Sequence, residues 1–328
     1  MDYERSAYRR KMNMKKIKSL LPYIISLLTA VLMTLAAELT GEKEIIFPEI
    51  TAIAVGALAA PKQTWNTSRL RLLLTITASA VLGVGIVRFV PLPLVFQVPL
   101  GIAAAFICIA LSRTEFVPAV SACVLPILLQ TKSVIYIISV VIMTSVILLS
   151  QFMLEKAGIR EKNEYTPCRI SAELIKLRLK QLAVMWIICI LPAVTHEIFF
   201  IAPPLLVGFA EMTKPASKLK KRAKDAVLLI VIAAFSGAAS RLLIAEAAGL
   251  PLTLAVTVSC GVILFAIHKM KLYFPPCGAI ATLPMIIPSD SIIKFPFEAA
   301  AGFIVMTAAA FLLFRDKNTE AQPKSSGE

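Results

Sequence analysis

The sequence predicts an all-α, polytopic transmembrane bundle of two parallel six-segment repeats, each with two short, proline-rich, half-length helices. Three observations carry that expectation. The chain is 58% hydrophobic with a mean hydropathy of +0.81, far above a soluble domain of its 328 residues. Apolar runs recur from Leu20 almost to the C-terminus, too many for a secretory leader or a single anchor. The third observation is a duplicated proline pattern. Moving residues 92–129 onto 250–287, a shift of 158 positions, pairs Pro93 with Pro251, Pro118 with Pro276 and Pro126 with Pro284. Leu92, Leu94, Phe116 and Leu125 also meet identical residues. Four prolines in each window would align roughly 0.4 of a pair by chance, so the three coincidences point to an internal repeat.

Taken in order, the apolar segments fall near 20–39, 45–60, 70–90, 94–111, 116–129 and 134–154 in the first half. The second half has 182–195, 198–212, 226–247, 250–268, 272–288 and 292–314. Helix is the expected state throughout, because open strands would leave backbone groups unpaired in lipid. The second and fifth segments of each half are short. Fifteen residues rise only ~22 Å as a helix, against a hydrocarbon core of ~30 Å. Such a segment either crosses with help from extended flanks or dips in and returns.

Charge separates those alternatives. If all twelve segments cross from a cytoplasmic N-terminus, 29 of the 34 Lys and Arg lie inside. Outside are Lys43, Arg88, Lys132 and Lys294, while Arg241 falls within an apolar run. If the short segments re-enter instead, the basic stretch 214–224 moves outside and the asymmetry collapses to 18 against 15. The positive-inside rule favours the first arrangement. Both termini are then cytoplasmic, in a multi-pass protein of a bacterial plasma membrane. The halves share one orientation, related by an axis along the membrane normal.

The expected organisation is a basic cytosolic tail at 1–19, a first membrane repeat at 20–154 and a cytosolic linker at 155–181. A second membrane repeat at 182–314 and a polar tail at 315–328 complete it. Within the linker, 170–179 reads as a short amphipathic surface helix. The net charge of +14 arises from short basic blocks between apolar runs, so the lipid bilayer is the expected partner and nucleic acid is not. Self-association into a homo-oligomer is compatible with this reading. The six cysteines have no metal or redox spacing, and no cofactor or metal is expected. No nucleophile elbow, phosphate loop or paired-carboxylate motif is visible, so an enzyme is not expected.

The short segments are the best functional candidates. Phe274-Pro275-Pro276-Cys277-Gly278-Ala279 opens a helix with two prolines, which suit the first turn because its N–H groups are unpaired anyway. The N–H groups of Cys277, Gly278 and Ala279 would then stand at the positive end of a helix dipole, where an anion is favoured. Phe116-Val117-Pro118-Ala119-Val120-Ser121 occupies the equivalent place in the first half. Phe47-Pro48 and Pro203-Pro204 offer related starts. The bland alternative is that these prolines only shape packed helices. Arg88 and Arg241 lie near the outer end of the third segment in each half, where they could guide an anion or snorkel to headgroups. Glu49, Glu197 and Glu298 lie near segment ends expected outside. Gly83, Gly85 and Gly237 read as close helix packing, and Trp65 and Trp186 as interfacial anchors.

With those motifs in view, the second half resembles the HPP family of bacterial and plastid membrane proteins. Ala202-Pro203-Pro204-Leu205-Leu206-Val207-Gly208-Phe209 resembles its proline-rich segment, and Pro275, Pro276, Gly278 and Ala279 match its His-Pro-Pro-Ala-Gly-Ala-Thr-like stretch. Phe274 stands where that family has histidine, and the first half keeps a single proline in Phe116-Val117-Pro118. The resemblance covers roughly 182–314 and extends weakly over 20–154. Some plastid and cyanobacterial members are implicated in nitrite transport, so it implies a small anion. A shorter resemblance, from Ile50 to Gly56 and through Arg69, Arg71 and Arg88, is to aromatic-acid exporters of the fusaric acid resistance type. The expected function is therefore a transporter or channel for a small anion, nitrite-like or a small carboxylate. The alternatives are an exporter of aromatic or weak organic acids and a non-transporting scaffold. The residues expected to meet the anion are Pro275, Pro276, Cys277, Gly278, Ala279, Pro118, Ala119 and Ser121, with Arg88 and Arg241 guiding it.

Overall fold

Proline and serine mark most helix boundaries. The computed structural model describes residues 2–314, with side chains from Ser19 onward, and every regular element among them is helical. The tail expected at 315–328 lies outside the described residues, as do the side chains of the basic N-tail up to residue 18. Helix α1 (Asp2–Thr40) ends at Gly41, whose φ of +76° reverses the chain without a Cβ clash. Then follow α2 (Glu49–Ala54, continued by the wider turn Val55–Ala59), α3 (Arg69–Phe89), α4 (Leu94–Leu111), α5 (Pro118–Leu128) and α6 (Val134–Lys156). The remainder comprises α7 (Ala172–Thr195), α8 (Pro203–Met212), the single turn α9 (Lys218–Lys221), α10 (Ala223–Ser240, widened through Arg241–Ala247), α11 (Leu252–Met270), α12 (Pro275–Thr282) and α13 (Phe295–Leu313). Ser68, Ser133 and Ser171 cap α3, α6 and α7 through their side chains. Pro93 and Pro251 immediately precede α4 and α11, and α5, α8, α12 and α13 carry proline in their first turn.

The short helices form the interior. Every residue of α2, α5 and α12 is buried, and so is α8 apart from Glu211. The long helices surround them and turn apolar side chains outward, among them Ile24, Leu28 and Leu32 on α1, Ile138 and Ile142 on α6, and Val258 and Val262 on α11. So continuous an apolar exterior would be unfavourable in water and is matched to lipid. By length and composition, seven helices among the described residues suffice to cross a membrane: α1 from Ser19, α3, α4, α6, α10 with its extension, α11 and α13. The protein is a multi-pass, all-helical membrane bundle.

Hydrogen bonds show that the short helices join opposite ends of the long ones. Arg71, at the start of α3, donates to the Ser112 carbonyl before α5 (2.6 Å). Arg88, at the end of α3, donates through Nε to the Lys132 carbonyl after α5 (2.7 Å). The segment 112–132, with α5 in its middle, therefore runs alongside α3 from end to end. In the second half Arg222, before α10, holds the Met270 carbonyl (2.9 Å), and Arg241, after it, holds the Pro284 carbonyl (2.6 Å), so α12 runs with α10. Likewise Ser139 near the start of α6 bonds the Ile45 carbonyl before α2 (2.6 Å), while Gln151 near its end reaches Gln63 after α2 (2.8 Å). Phe199 before α8 bonds Glu298 at the start of α13 (3.0 Å), and Lys220 after α8 reaches the Phe314 carbonyl beyond its end.

Packing between the halves is reciprocal. α1 packs on α11 and α7 on α4, while α2 packs on α12 and α8 on α5. The linker folds back on the first half. Arg160 donates to the carbonyls of Leu58 (2.8 Å) and Ala60, closing the end of the α2 segment, and burial lowers its pKa to about 10. Three expectations need revision. The surface helix expected at 170–179 is instead largely the first half of α7, because Ser171 caps a helix that continues unbroken into the apolar stretch. Trp65 is buried edge-on against Phe116 (5.1 Å) and is no interfacial anchor. A Cβ at Gly85 would meet open space, whereas Gly83 and Gly237 press on the backbones of α5 and α12.

Candidate functional site

Four connecting segments enter the interior before the short helices begin, two of them through a single 3-10 turn (Lys43–Ile45 and Ile198–Ile201). Residues 41–48 and 196–202 lead into α2 and α8 from one end of the bundle, and 112–117 and 271–274 lead into α5 and α12 from the other. Their helix starts meet around a cavity of ≈ 10 Å³, about the space of one water. It is lined by Glu49 and Ala52 of α2, Pro118 and Ser121 of α5, Pro204 and Val207 of α8, and Pro275, Pro276 and Ala279 of α12. The ten residue steps from Glu49 to Ala59 rise ~15 Å and the seven from Ser121 to Leu128 rise ~10 Å in the opposite sense. The junction therefore lies near mid-height, away from either end.

Both halves of the chain contribute to the lining. Ser121 and Ala279 are 158 positions apart, the interval of the proline repeat, and so are Pro118 and Pro276. Aligning Phe47-Pro48 with Ala202-Pro203 sets Glu49 opposite Pro204 and Ala52 opposite Val207. The two sides differ in polarity: Glu49 and Ser121 come from the first half, and Pro204 and Ala279 from the second.

Glu49 is the chemical centre of the site. It is 1% exposed. The Ser121 hydroxyl donates to its Oε1, while its Oε2 is buried with no hydrogen-bond partner. A buried acidic oxygen left in that state is costly unless it holds a proton or meets a further donor. Around it, Tyr136 donates to the Ala122 carbonyl (2.8 Å), and the hydroxyls of Thr51 and Thr282 join α2 to α12 (2.9 Å).

The residues singled out from sequence divide into three groups. Pro118, Ser121, Pro275, Pro276 and Ala279 line the cavity. Ala119, Cys277 and Gly278 are buried beside it without lining it: the Cys277 thiol bonds the Phe274 carbonyl (2.7 Å), and Gly278 lies against the Thr51 backbone. The Cys277 N–H also returns to the Phe274 carbonyl (3.2 Å), and Gly278 and Ala279, the fourth and fifth residues of α12, bond within the helix, so none of the three N–H groups expected to be free is free. Arg88 and Arg241 lie apart, binding the carbonyls that follow α5 and end the α12 segment. Glu49, Ala52, Pro204 and Val207 were not singled out as site residues. The signals available for them were the Pro203-Pro204 helix start and the carboxylate directly after Pro48, which lies near an expected segment end. Among the described residues no group of three or more His, Cys, Asp and Glu could hold a metal.

Comparison of the chain with protein-family models, with curated proteins and with solved structures yields no match.

Proposed function

We propose that this protein is a transporter or channel for a small anion, nitrite-like or a small carboxylate, with its binding point at the junction of the short helices. One observation carries the reading: short, proline-started helices from both halves converge on one buried, mid-height cavity. Discontinuous membrane helices of this kind present positive ends to anionic substrates. The reciprocal contacts between halves, the paired cavity lining and the proline repeat support two parallel six-segment repeats related by a two-fold axis along the membrane normal. The basic end of the bundle, bearing 214–224 and the linker, is the cytoplasmic end. The HPP resemblance makes nitrite the first probe.

The cavity holds only a water-sized group, so an anion of several atoms binds when the short helices part. Its size also favours a second reading, a membrane scaffold whose proline helices serve packing alone. An aromatic acid would require a much larger opening. Purified protein in liposomes, assayed for protein-dependent flux of nitrite, formate and nitrate, separates the readings. Saturable flux absent from empty liposomes supports transport. Absence of flux for all three removes it in favour of the scaffold.

A further inference from the structure

We infer that Glu49 is the proton-carrying group of this pathway, and that each anion moves together with one proton. The inference rests on the anion-transport reading and specifies its coupling. The geometry sets a conflict that a proton resolves. The starts of α5, α8 and α12 face the cavity; their first N–H groups are replaced by proline or bond nearby carbonyls, and their dipoles favour negative charge there. Glu49 presents a carboxyl to the same space, with Oε2 buried and unpartnered. Ionised, the side chain is itself the anion at those helix ends and repels a second one. Protonated, it is neutral, its Oε2 can donate to an incoming anion, and that anion no longer meets a like charge at the helix ends. Anion and ionised carboxylate thus compete for one site, and linkage requires each bound anion to favour proton uptake.

The surroundings offer no other charge to take this part. The titratable groups nearby are Cys123 on α5, Tyr136 on α6, Cys277 on α12 and Cys260 on α11; Tyr136 and Cys277 already bond backbone carbonyls, and Cys260 meets the Thr282 hydroxyl (3.4 Å). The packed faces of α1 and α8 contribute no titratable group at this level: α1 offers Ser26 and Thr29, and the one acid of α8, Glu211, lies at its far end. Among the described residues no Lys, Arg or His forms an ion pair with Glu49. The equivalent position in the second half is Pro204, so the junction has a single carboxyl and the stoichiometry is one. In one cycle the carboxylate takes a proton from water on one side, the anion enters, both leave on the other side, and no net charge crosses.

The test uses the full chain in liposomes with an entrapped pH indicator and gradients of nitrite, formate or nitrate. Nitrate is included because it has no neutral acid that leaks across lipid. Wild-type flux should carry protons, be insensitive to an imposed membrane potential, and fall by up to ~10-fold per pH unit on the alkaline side, the slope of one proton. Glu49→Gln should lose the proton movement and the pH dependence. Infrared difference spectra of the wild type should show a protonated-carboxyl band that grows when the transported anion is added at constant pH and that is missing from Glu49→Gln. If Glu49→Gln fails to fold, as judged by helicity and monodispersity, Glu49→Asp should keep the band at a shifted pH midpoint. Anion flux without protons, or a band unaffected by either substitution, overturns the coupling while transport stands. Absence of any flux removes the transport reading, and the coupling with it.

Discussion

At the scale of the residue, several positions that look alike in sequence do different work. A Cβ on Gly237 would lie 2.6 Å from the Ala281 carbonyl oxygen, with backbone on one side and Pro284 on the other, so something must move. Gly237→Ala should destabilise by about 1–3 kcal/mol. Gly85→Ala, in open space on α3, should be neutral or stabilising by up to ~1 kcal/mol, since glycine is a poor helix former. Thermal unfolding in one detergent, comparing the two variants, checks the contrast; equal losses would remove the packing explanation. Arg241 is 8% exposed and its Nη1 holds the Pro284 carbonyl at 2.6 Å. Arg241→Gln should leave that carbonyl short of a donor and cost ~1–3 kcal/mol, with Arg241→Lys in between. Arg88→Gln should cost less, because water reaches its exposed partner at Lys132. If Arg241→Gln keeps wild-type stability yet weakens anion uptake at low concentration, the arginine guides the anion and is not a helix cap.

At the scale of the element, the halves are tied together by helix ends as well as by apolar packing. Glu38, on the last turn of α1, accepts from the N–H groups of Leu252 (2.5 Å) and Thr253 (3.1 Å) and from the Thr253 hydroxyl. A carboxylate from one half thus caps α11 of the other, where Pro251 supplies no cap of its own. Glu38→Gln should lower stability by ~0.5–2 kcal/mol, and Glu38→Ala by somewhat more, measured by thermal unfolding. No change in either would show that water serves α11 as well. This cap was not legible from sequence, because its members are 214 and 215 positions apart and meet only when α1 packs on α11. The proline starts were legible, since ring closure and the missing N–H act within a single turn. The path of the short helices was expected only from the charge of their loops; the hydrogen bonds of Arg71, Arg88, Arg222 and Arg241 place the residues flanking α5 and α12 beside opposite ends of α3 and α10.

At the scale of the whole molecule, the two ends of the bundle differ in charge, and that difference underlies the proposed orientation. Lys214 pairs with Glu115 (4.0 Å), so the basic stretch after α8 shares one end with the loop before α5. Lys132, after α5, lies at the opposite end. With single cysteines at Lys221 and Lys132, both exposed, an impermeant thiol reagent should label only position 132 in intact cells and both after permeabilisation. Labelling of 221 from outside would falsify the assigned orientation. The native Cys168 belongs to the same end as Lys221, and its thiol should react sluggishly there. Burial and then the Glu115 carboxylate raise its pKa, which leaves little thiolate.

The sequence by itself determined the solvent, the helical state and most helix starts of this protein. Those properties follow from hydropathy summed over each segment and from proline and serine acting on their own turn. The repeated prolines also pointed to helix starts that do line the cavity, such as Pro118 and Pro276. Only the tertiary structure decided that Glu49, which looked like a residue at a membrane surface, is buried at the junction of four helix starts, and that Arg88 and Arg241 stand apart from it. The reason is depth. Composition says that a short segment is apolar along its length, but where its first turn comes to rest depends on how far the connecting segment before it descends. That distance is set by partners such as Ser121, from another part of the chain, which meet Glu49 only in the folded bundle.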